Sequence, residues 1–372
     1  MFPPATADIA ADDRWMARAL ELANQAVGVS DPNPRVGCVI VSADGQCVGE
    51  GHTQRVGEAH AEAMALRDAM QRGADLRQAT AYVTLEPCAH HGRTPPCCEA
   101  LSRAGVARVV AACEDPNPRV RGAGLAHLRA QGIAVQIGPG GEASEALNVG
   151  FMKRMRSGLP FVRMKLACSL DGRTALPDGR SQWITGEPAR RDGMAWRRRA
   201  AALLTGIGTV LADDPRLDVR EPEAIAAPLR VVLDRQARLP LDARLLATQG
   251  PVLLMHGVDA FPKRLDALRA HGVTCHSLPS NPDEQLHAVL HHLAEQEINE
   301  LHIEAGAQLS GAWLASGLVD ELLVYLAPKL IGPGRPLLEL PPLHSLADAS
   351  SWRWIDSQAF GADLRLRLRP ST

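Results

Sequence analysis

Aromatic residues are scarce, at 3% of the 372 positions. So few flat rings cannot line an extended groove that stacks nucleic-acid bases. Excess charge is missing too, with 40 Lys and Arg against 42 Asp and Glu and a formal net charge of -2. That leaves no global basic field for a polyanion, so nucleic acid is not an expected partner. No uninterrupted apolar run is long enough to span a bilayer, and no membrane partner is expected. The opening MFPPATADIAADD has neither a basic n-region nor an apolar h-region. A secretory signal is therefore unexpected, and a cytoplasmic location is the default. What remains is an ordinary globular composition, 46% hydrophobic and 22% charged, in a chain long enough for two domains with a core each. Cysteine is less scarce, and four of the eight (Cys88, Cys97, Cys98 and Cys113) fall in one short stretch. Without a secretory signal, such clustering reads as metal binding or catalysis rather than a disulfide framework.

The first half alternates strand and helix. Residues 14–27 carry apolar positions at helical spacing after Asp12 and Asp13, which can cap. VGCVIV (36–41) reads as a strand, and Asp44-Gly45 as a hairpin turn into the next. A helix over 59–71, a strand over 80–85 and a helix opening near Pro96 follow. Then come a strand (106–112), a helix (121–131) and a strand (133–137). EASEALNVGF reads as one short polar helix, and a boundary near Ser157-Gly158 divides the chain into domains 1–157 and 158–372. In the second half, 161–167, 229–234, 251–255, 300–305 and 321–327 are strand-like, and the closing DLRLRLRP alternates as a strand with one wet face. The Pro-rich loops near 221–228 and 332–342 are expected to be exposed. Strands separated by helices imply layered α/β domains with right-handed crossovers.

The decisive pattern is His60-Ala61-Glu62, followed by Pro87-Cys88 and Pro96-Cys97. A catalytic zinc takes three protein ligands and keeps a fourth position for water. One imidazole and two thiolates supply that set. Glu62 lies two residues from His60, close enough to act on the water without being a ligand. This is the arrangement of zinc-dependent nucleobase deaminases, whose non-ligand Glu is the general acid and base. Eight residues separate Cys88 from Cys97 here, where two are usual. That leaves Cys98 as an adjacent alternative ligand, and a closed structural site using Cys98, His90 or His91 as an alternative arrangement.

Longer segments carry a resemblance. DPNPRVGCVIV (31–41), GEAHAE (57–62), TLEPCAHHGRTPPC (84–97) and EDPNPRVRGAG (114–124) resemble the deaminase half of the bifunctional deaminase–reductases of riboflavin biosynthesis. The resemblance continues through KLACSLDGRTAL (165–176), SQWITG (181–186), GTVLADDPRLDVR (208–220) and EAGAQLSGAWLASGLVDELLVYLAPKLIG (304–332), so it covers nearly the whole chain. It implies a cytidine-deaminase-like three-layer domain followed by a dihydrofolate-reductase-like domain. It implies two reactions on a small-molecule phosphoribosylaminopyrimidine: zinc-dependent hydrolytic deamination, then NADPH-dependent reduction of the ribosyl group to ribityl. His60, Cys88 and Cys97 match the family's zinc ligands and Glu62 its proton shuttle. Asn33, His52, Glu86 and His90 lie in matching motifs that line the pyrimidine pocket, with Glu86 alternatively a supporting group beside a ligand. Reductases of this type often pair, so a homo-oligomer, dimer or tetramer, is expected.

In the second half, Gly306-Ala-Gln-Leu-Ser-Gly311 follows a strand and opens a helix, where backbone N–H groups can meet a phosphate. It is not GxGxxG, so a Rossmann assignment is unsupported. The resemblance implies that Gly306, Ala307, Gln308, Leu309, Ser310, Gly311 and Ala312 hold the NADPH phosphates, with Ala167, Trp183, Thr209 and Asp213 in the same site. It places Ser181, Arg197, Leu217, Arg220 and Glu304 at the substrate. Arg197 and Arg220 suit phosphate clamping, although Arg198 and Arg199 flank Arg197 as they would on a solvated helix face. Asp171 and Glu304 are candidate polar orienters. Ala167-Cys168, Gly186 and Arg235 depart from the usual family residues, and Arg235 could favour a 2′-phosphate. The competing readings are a deaminase of another nucleobase or nucleic acid with an inactive reductase-like half, and a non-catalytic zinc protein. The first calls for a basic or aromatic surface, and the second has no use for Glu62.

Overall fold

The computed structural model describes residues 9–89, 95–118, 120–220 and 227–371. They form two compact units, Met1–Gly158 and Leu159–Thr372.

The first unit runs α1 (Ile9–Gln25), β1 (Gly37–Val41), β2 (Cys47–His52), α2 (Ala61–Gln71), β3 (Thr80–Val83), α3 (Cys97–Ala104), β4 (Arg108–Ala111), α4 (Ala123–Ala130), β5 (Ala134–Ile137), α5 (Gly141–Leu147) and α6 (Val149–Ser157). The sheet order is β2-β1-β3-β4-β5. The hairpin β1–β2 and the pair β1–β3 are antiparallel, while β3, β4 and β5 run parallel. The period of two sorts side chains to opposite faces. Cys38, Ile40, Ala81, Val83 and Val109 point to the side of α2 and α3, where Ala61, Ala65 and Leu101 meet them. Val39, Val41, Tyr82 and Val110 point to α1, against Met16, Ala19 and Leu22. The result is a three-layer domain with helices on both faces.

Two helix boundaries differ from expectation. Asp12 lies inside α1 rather than capping it, because its buried carboxylate accepts from the Tyr82 hydroxyl at 2.8 Å and from Arg108 at 2.8 and 2.6 Å. The stretch read as one helix after Gly140 is two. Asn148 breaks it, its Oδ1 accepting from Arg35 N at 2.7 Å and its Nδ2 donating to Arg35 O at 2.9 Å.

The second unit runs β6 (Phe161–Ser169), β7 (Arg173–Ala175), α7 (Glu187–Arg199), β8 (Ala202–Gly206), α8 (Ile207–Asp213), β9 (Leu229–Leu233), β10 (Val252–His256), α9 (Pro262–Ala270), β11 (Thr274–Ser277), α10 (Pro282–Glu295), β12 (Glu300–Ile303), α11 (Ala307–Ala315), β13 (Glu321–Ala327), β14 (Arg335–Pro336), β15 (Trp352–Phe360) and β16 (Asp363–Pro370). Nine strands form one sheet, β11-β10-β9-β8-β12-β6-β13-β16-β15, and β7 pairs with β14 apart from it. The sheet is parallel from β11 to β13 and antiparallel beyond. Val231, Leu253 and Met255 pack toward α10 and α11, whereas Val232, Val252 and Leu254 pack toward α8 and α9. Chain order doubles back at β8, β12 and β6, which opens a crevice at their carboxyl ends, the place where open α/β sheets bind ligands.

The loop over 332–342 is not simply exposed. Residues Arg335–Pro336 pair with β7, and Leu337 and Leu338 pack on the core. Of the loop 221–228, residues 221–226 lie outside the described residues.

Candidate functional site

In the first unit, three sequence-distant residues converge. His60 immediately precedes α2 as its N-cap, and Cys97 is the first residue of α3. Cys88 comes from the loop after β3. The strand β2 lets α2 approach closely, since a Cβ on Gly51 would stand 2.6 Å from the Ala61 carbonyl oxygen. The Nδ1 of His60 lies 3.6 Å from the Cys88 sulfur and 3.4 Å from the Cys97 sulfur. A tetrahedral zinc with bonds of about 2.0 Å to nitrogen and 2.3 Å to sulfur has an N···S edge of about 3.5 Å. The three donors therefore fit zinc in spacing as well as in kind, and they are the one such cluster among the described residues.

Cys98 is buried in the hydrophobic core, and its thiol is pushed up to about 11, chiefly by burial. The three-donor cluster contains the Cys97 sulfur and not that of Cys98. His90 and His91 lie outside the described residues. The Cys88 thiol is drawn down, first by the hydrogen bond from Cys97 and then by His60 and the Cys97 N–H at the start of α3. Glu62 sits in the first turn of α2, 4% exposed. Burial, joined by the nearby Cys88 thiolate, pushes its carboxyl up to about 7.

The other pocket candidates of this unit fall differently. Asn33 sits in the turn after α1, its N–H donating to Ser30 O at 2.8 Å. His52 ends β2 opposite Gly37, and burial lowers its pKa. Glu86 is 3% exposed. Its carboxylate accepts from four backbone N–H groups: Asp115 at 3.1 Å, Gly122 at 3.0 Å, Gly124 at 3.0 Å and Leu125 at 3.4 Å. A carboxylate so occupied ties Asp115, Gly122 and the start of α4 to the chain two residues before Cys88.

In the second unit, two cavities share a wall made of Lys165, Ala167, Thr174, Ser181, Thr209, Asp213 and Glu304. The first extends along Gly206, Gly306, Ala307, Gln308, Leu309 and Arg335. The second extends along Trp183, Arg190, Arg197, Leu217, Arg220 and Tyr325. The glycine-rich segment divides partway. Gly306 to Leu309 line the cavity, whereas the Ser310 hydroxyl donates to Ala305 O at 3.2 Å. Gly311 is where the chain crosses itself, since a Cβ there would be 1.9 Å from the Glu339 carbonyl oxygen. Ala312 is exposed and lines neither cavity.

Arg197 does not lie on a solvated helix face. It is largely buried and grips Glu304, which also has Lys165 at 4.0 Å and His302 at 3.4 Å. Burial opposes charge on Glu304, but Arg197 and Lys165 overcome it and hold the carboxyl well below its usual range. Lys165 was not singled out in the sequence, yet it stands two residues before Ala167 on β6, so both face the same cavity. Asp171 lines neither cavity. Held down to about 2 by the Ser169 hydroxyl and by N–H groups, it binds the backbone of Ile331 and Gly332. Arg235 is exposed, 3.6 Å from Asp259, and also lines neither cavity.

Residues 9–113 match the family described as the cytidine and deoxycytidylate deaminase zinc-binding region, and residues 160–366 match the RibD C-terminal domain. The riboflavin biosynthesis protein RibD of Escherichia coli K12 is 46% identical over 374 residues, covering 96% of this chain and 99% of that protein. That of Haemophilus influenzae is 44% identical over 369 residues, covering 96% of each. The solved structure of Acinetobacter baumannii RibD (form 1) superposes with a TM-score of 0.89 at 44% identity, covering 98% of this chain and 100% of that one. A Thermotoga maritima structure superposes with a TM-score of 0.87 at 32% identity, covering 97% and 99%. That structure is described as a diaminohydroxyphosphoribosylaminopyrimidine deaminase and 5-amino-6-(5-phosphoribosylamino)uracil reductase. With both halves matched in order over nearly its full length, the chain belongs to the RibD family of riboflavin biosynthesis, with a zinc-binding deaminase domain and an NADPH-using reductase domain.

Proposed function

We propose that domain 1–157 hydrolytically deaminates 2,5-diamino-6-(5-phosphoribosylamino)pyrimidin-4(3H)-one, and that domain 158–372 then reduces the ribosyl group of the product to ribityl. The observation that carries the first step is the His60, Cys88, Cys97 triangle with buried Glu62 two residues from His60, in the first turn of α2. These three residues would hold zinc, which lowers the pKa of a coordinated water so that hydroxide is available near neutral pH. Glu62 takes the water's proton and returns protons to the ring nitrogen and the departing amine, which leaves as ammonia. Asn33, His52 and His90 contribute the pyrimidine pocket in this reading. Glu86 acts one step back, by fixing Asp115, Gly122 and the start of α4.

For the second step, Gly306, Ala307, Gln308 and Leu309 with Thr209 cradle the dinucleotide. A Cβ on Gly306 would lie 4.0 Å from the Thr209 hydroxyl, so the two flank one space. NADPH supplies the hydride. Ala167, the small residue on the wall shared by both cavities, leaves room for the nicotinamide against the sugar. Converting ribosyl to ribityl breaks the bond from C1′ to the ring oxygen, so C1′ gains the hydride and the oxygen a proton. Lys165, beside Glu304 on that wall, is the cation placed to give that proton, and Arg197 fixes Glu304. Trp183, Asp213, Ser181, Leu217 and Arg220 complete the two cavities, with Arg220 toward the substrate phosphate.

The reading includes a cytoplasmic homo-oligomer, dimer or tetramer. The edge strand β15, with its unpaired backbone groups, supports association. Among the described residues no helix is long and apolar enough to cross a membrane.

A Glu62→Gln variant tests the order of the steps. Given the diaminopyrimidinone and NADPH, it should neither release ammonia nor oxidise NADPH. Given the deaminated compound, it should oxidise NADPH at the wild-type rate. Reduction of the undeaminated compound at that rate would overturn the order.

A further inference from the structure

We propose that Arg335 binds a phosphate group of the dinucleotide, a contact from outside the glycine-rich segment and its helix. The proposal rests on the NADPH reading of the cavity and adds a residue to it.

Arg335 lines the cavity that carries Gly306, Ala307, Gln308 and Thr209. Of the other charged residues on that lining, Asp213, Glu304 and Glu339 are acidic, and Lys165 is engaged with Glu304 at 4.0 Å. Arg335 is the cation of this wall that has no carboxylate partner among the described residues. The rest of the polar lining is acidic (Asp213, Glu304, Glu339) or neutral (Thr174, Ser181, Thr209, Gln308) apart from the engaged Lys165, so Arg335 and the free backbone N–H groups are the groups suited to an anion's charge.

The side chain is also placed. Arg335 pairs with Ala175 across the β7–β14 ribbon. Its guanidinium lies against Gly179, where a Cβ would stand 2.8 Å from Nη2 and 3.3 Å from Cζ. Gly179 closes a turn in which Leu176 N donates to Arg180 O and Gly179 N donates to Leu176 O, each at 2.9 Å. Gly179, at φ +93°, leaves that seat open.

The backbone carrying Arg335 then reaches the helix start. Leu337 N donates to Gly172 O at 3.0 Å, and Glu339 N donates to Ala307 O at 3.1 Å. The strap 335–339 thus runs from the β7 turn to the first residue of α11. It brings a guanidinium to the same cavity as the N–H groups that α11 leaves unbonded. A phosphate suits both, since guanidinium binds it in bidentate fashion and helix N-termini favour anions. Arg235, the sequence candidate for this task, is off the cavity and beside Asp259.

The test is dinucleotide binding to the full-length protein without pyrimidine, by titration calorimetry with NADPH and with NADH. The variants are Arg335→Ala, Arg335→Lys and Arg235→Ala. A charge-assisted contact implies that Arg335→Ala weakens NADPH binding by about 10- to 100-fold, with Arg335→Lys between it and wild type and Arg235→Ala unchanged. Loss for NADPH alone places Arg335 at the 2′-phosphate, and equal loss for NADH places it at the pyrophosphate; both support the proposal. Arg335→Ala binding NADPH within about twofold of wild type, with the same melting profile, overturns it. Wild-type protein that binds neither dinucleotide overturns the cofactor reading itself, and the assignment with it.

Discussion

The guanidinium of Arg197 holds the carboxylate of Glu304 at two points, Nε to Oε1 at 2.5 Å and Nη2 to Oε2 at 2.9 Å, while its Nη1 donates to Asp218 O at 3.1 Å. An arginine so engaged orients a carboxylate rather than clamping a free phosphate. Arg197→Ala should lower the rate of ribosyl reduction by about 100-fold or more, because a misplaced polar group next to the reacting centre costs that much. Arg197→Lys should recover little, since an ammonium cannot reproduce the planar fork. Deamination by the other unit should continue in both variants, measured as ammonia release. Wild-type reduction by Arg197→Ala would contradict this role.

The two adjacent cysteines should separate cleanly. Cys97→Ala removes one of three zinc donors and should yield protein with far less than one zinc per chain by atomic emission. Cys98→Ala trims a core side chain, costs about 1 kcal/mol of stability, and should keep one zinc per chain. The reverse pattern would mean that Cys98 is the ligand.

Glu86 should behave as a clamp. Glu86→Ala leaves four backbone N–H groups without their acceptor, a loss on the order of 3 kcal/mol or more. Thermal unfolding of the first unit should drop accordingly while zinc content stays near one per chain. Unchanged stability together with a raised KM for the pyrimidine would instead place Glu86 at the substrate.

Acid sensitivity should arise in the second unit from Glu321. Burial opposes its charge, but Arg163 and Arg367 outweigh it and hold the carboxyl down to about 2, against 4.5 ordinarily. A carboxyl lowered by folding contributes stability that is fully present above its unfolded value and is lost as pH falls toward the folded one. The shift amounts to on the order of 3 kcal/mol. Denaturant titrations should show it disappearing between about pH 4.5 and pH 2, with a flatter profile for Glu321→Gln. An equally steep profile in that variant would assign the acid sensitivity elsewhere.

Much of this was legible in the sequence because chemistry and local geometry coincide there. The unbroken apolar run VGCVIV gives β1 two buried faces, and His60-Ala61-Glu62 puts a ligand and an acid on one helix start. Contacts between residues far apart in the chain were not legible. Asp12 looked like a cap until Arg108 and Tyr82, across the sheet, claimed its carboxylate. Glu86 read as either a pocket residue or a support beside a ligand, and its four partners, some thirty to forty positions on, could not be read from the sequence. β15 was missed because an edge strand buries neither face well, and its alternating polarity is blurred accordingly. The spacing of Gly306 to Gly311 suggested one phosphate loop, but the later glycine serves the crossing with Glu339.

The most direct test of the whole account is the product mass after incubating the zinc-loaded protein with the phosphoribosylamino diaminopyrimidinone and NADPH. Replacing an amine by an oxygen function adds about one mass unit, and hydride plus proton add about two. A total gain of about three is the predicted result. A compound recovered unchanged from protein that carries zinc and binds NADPH would contradict the account.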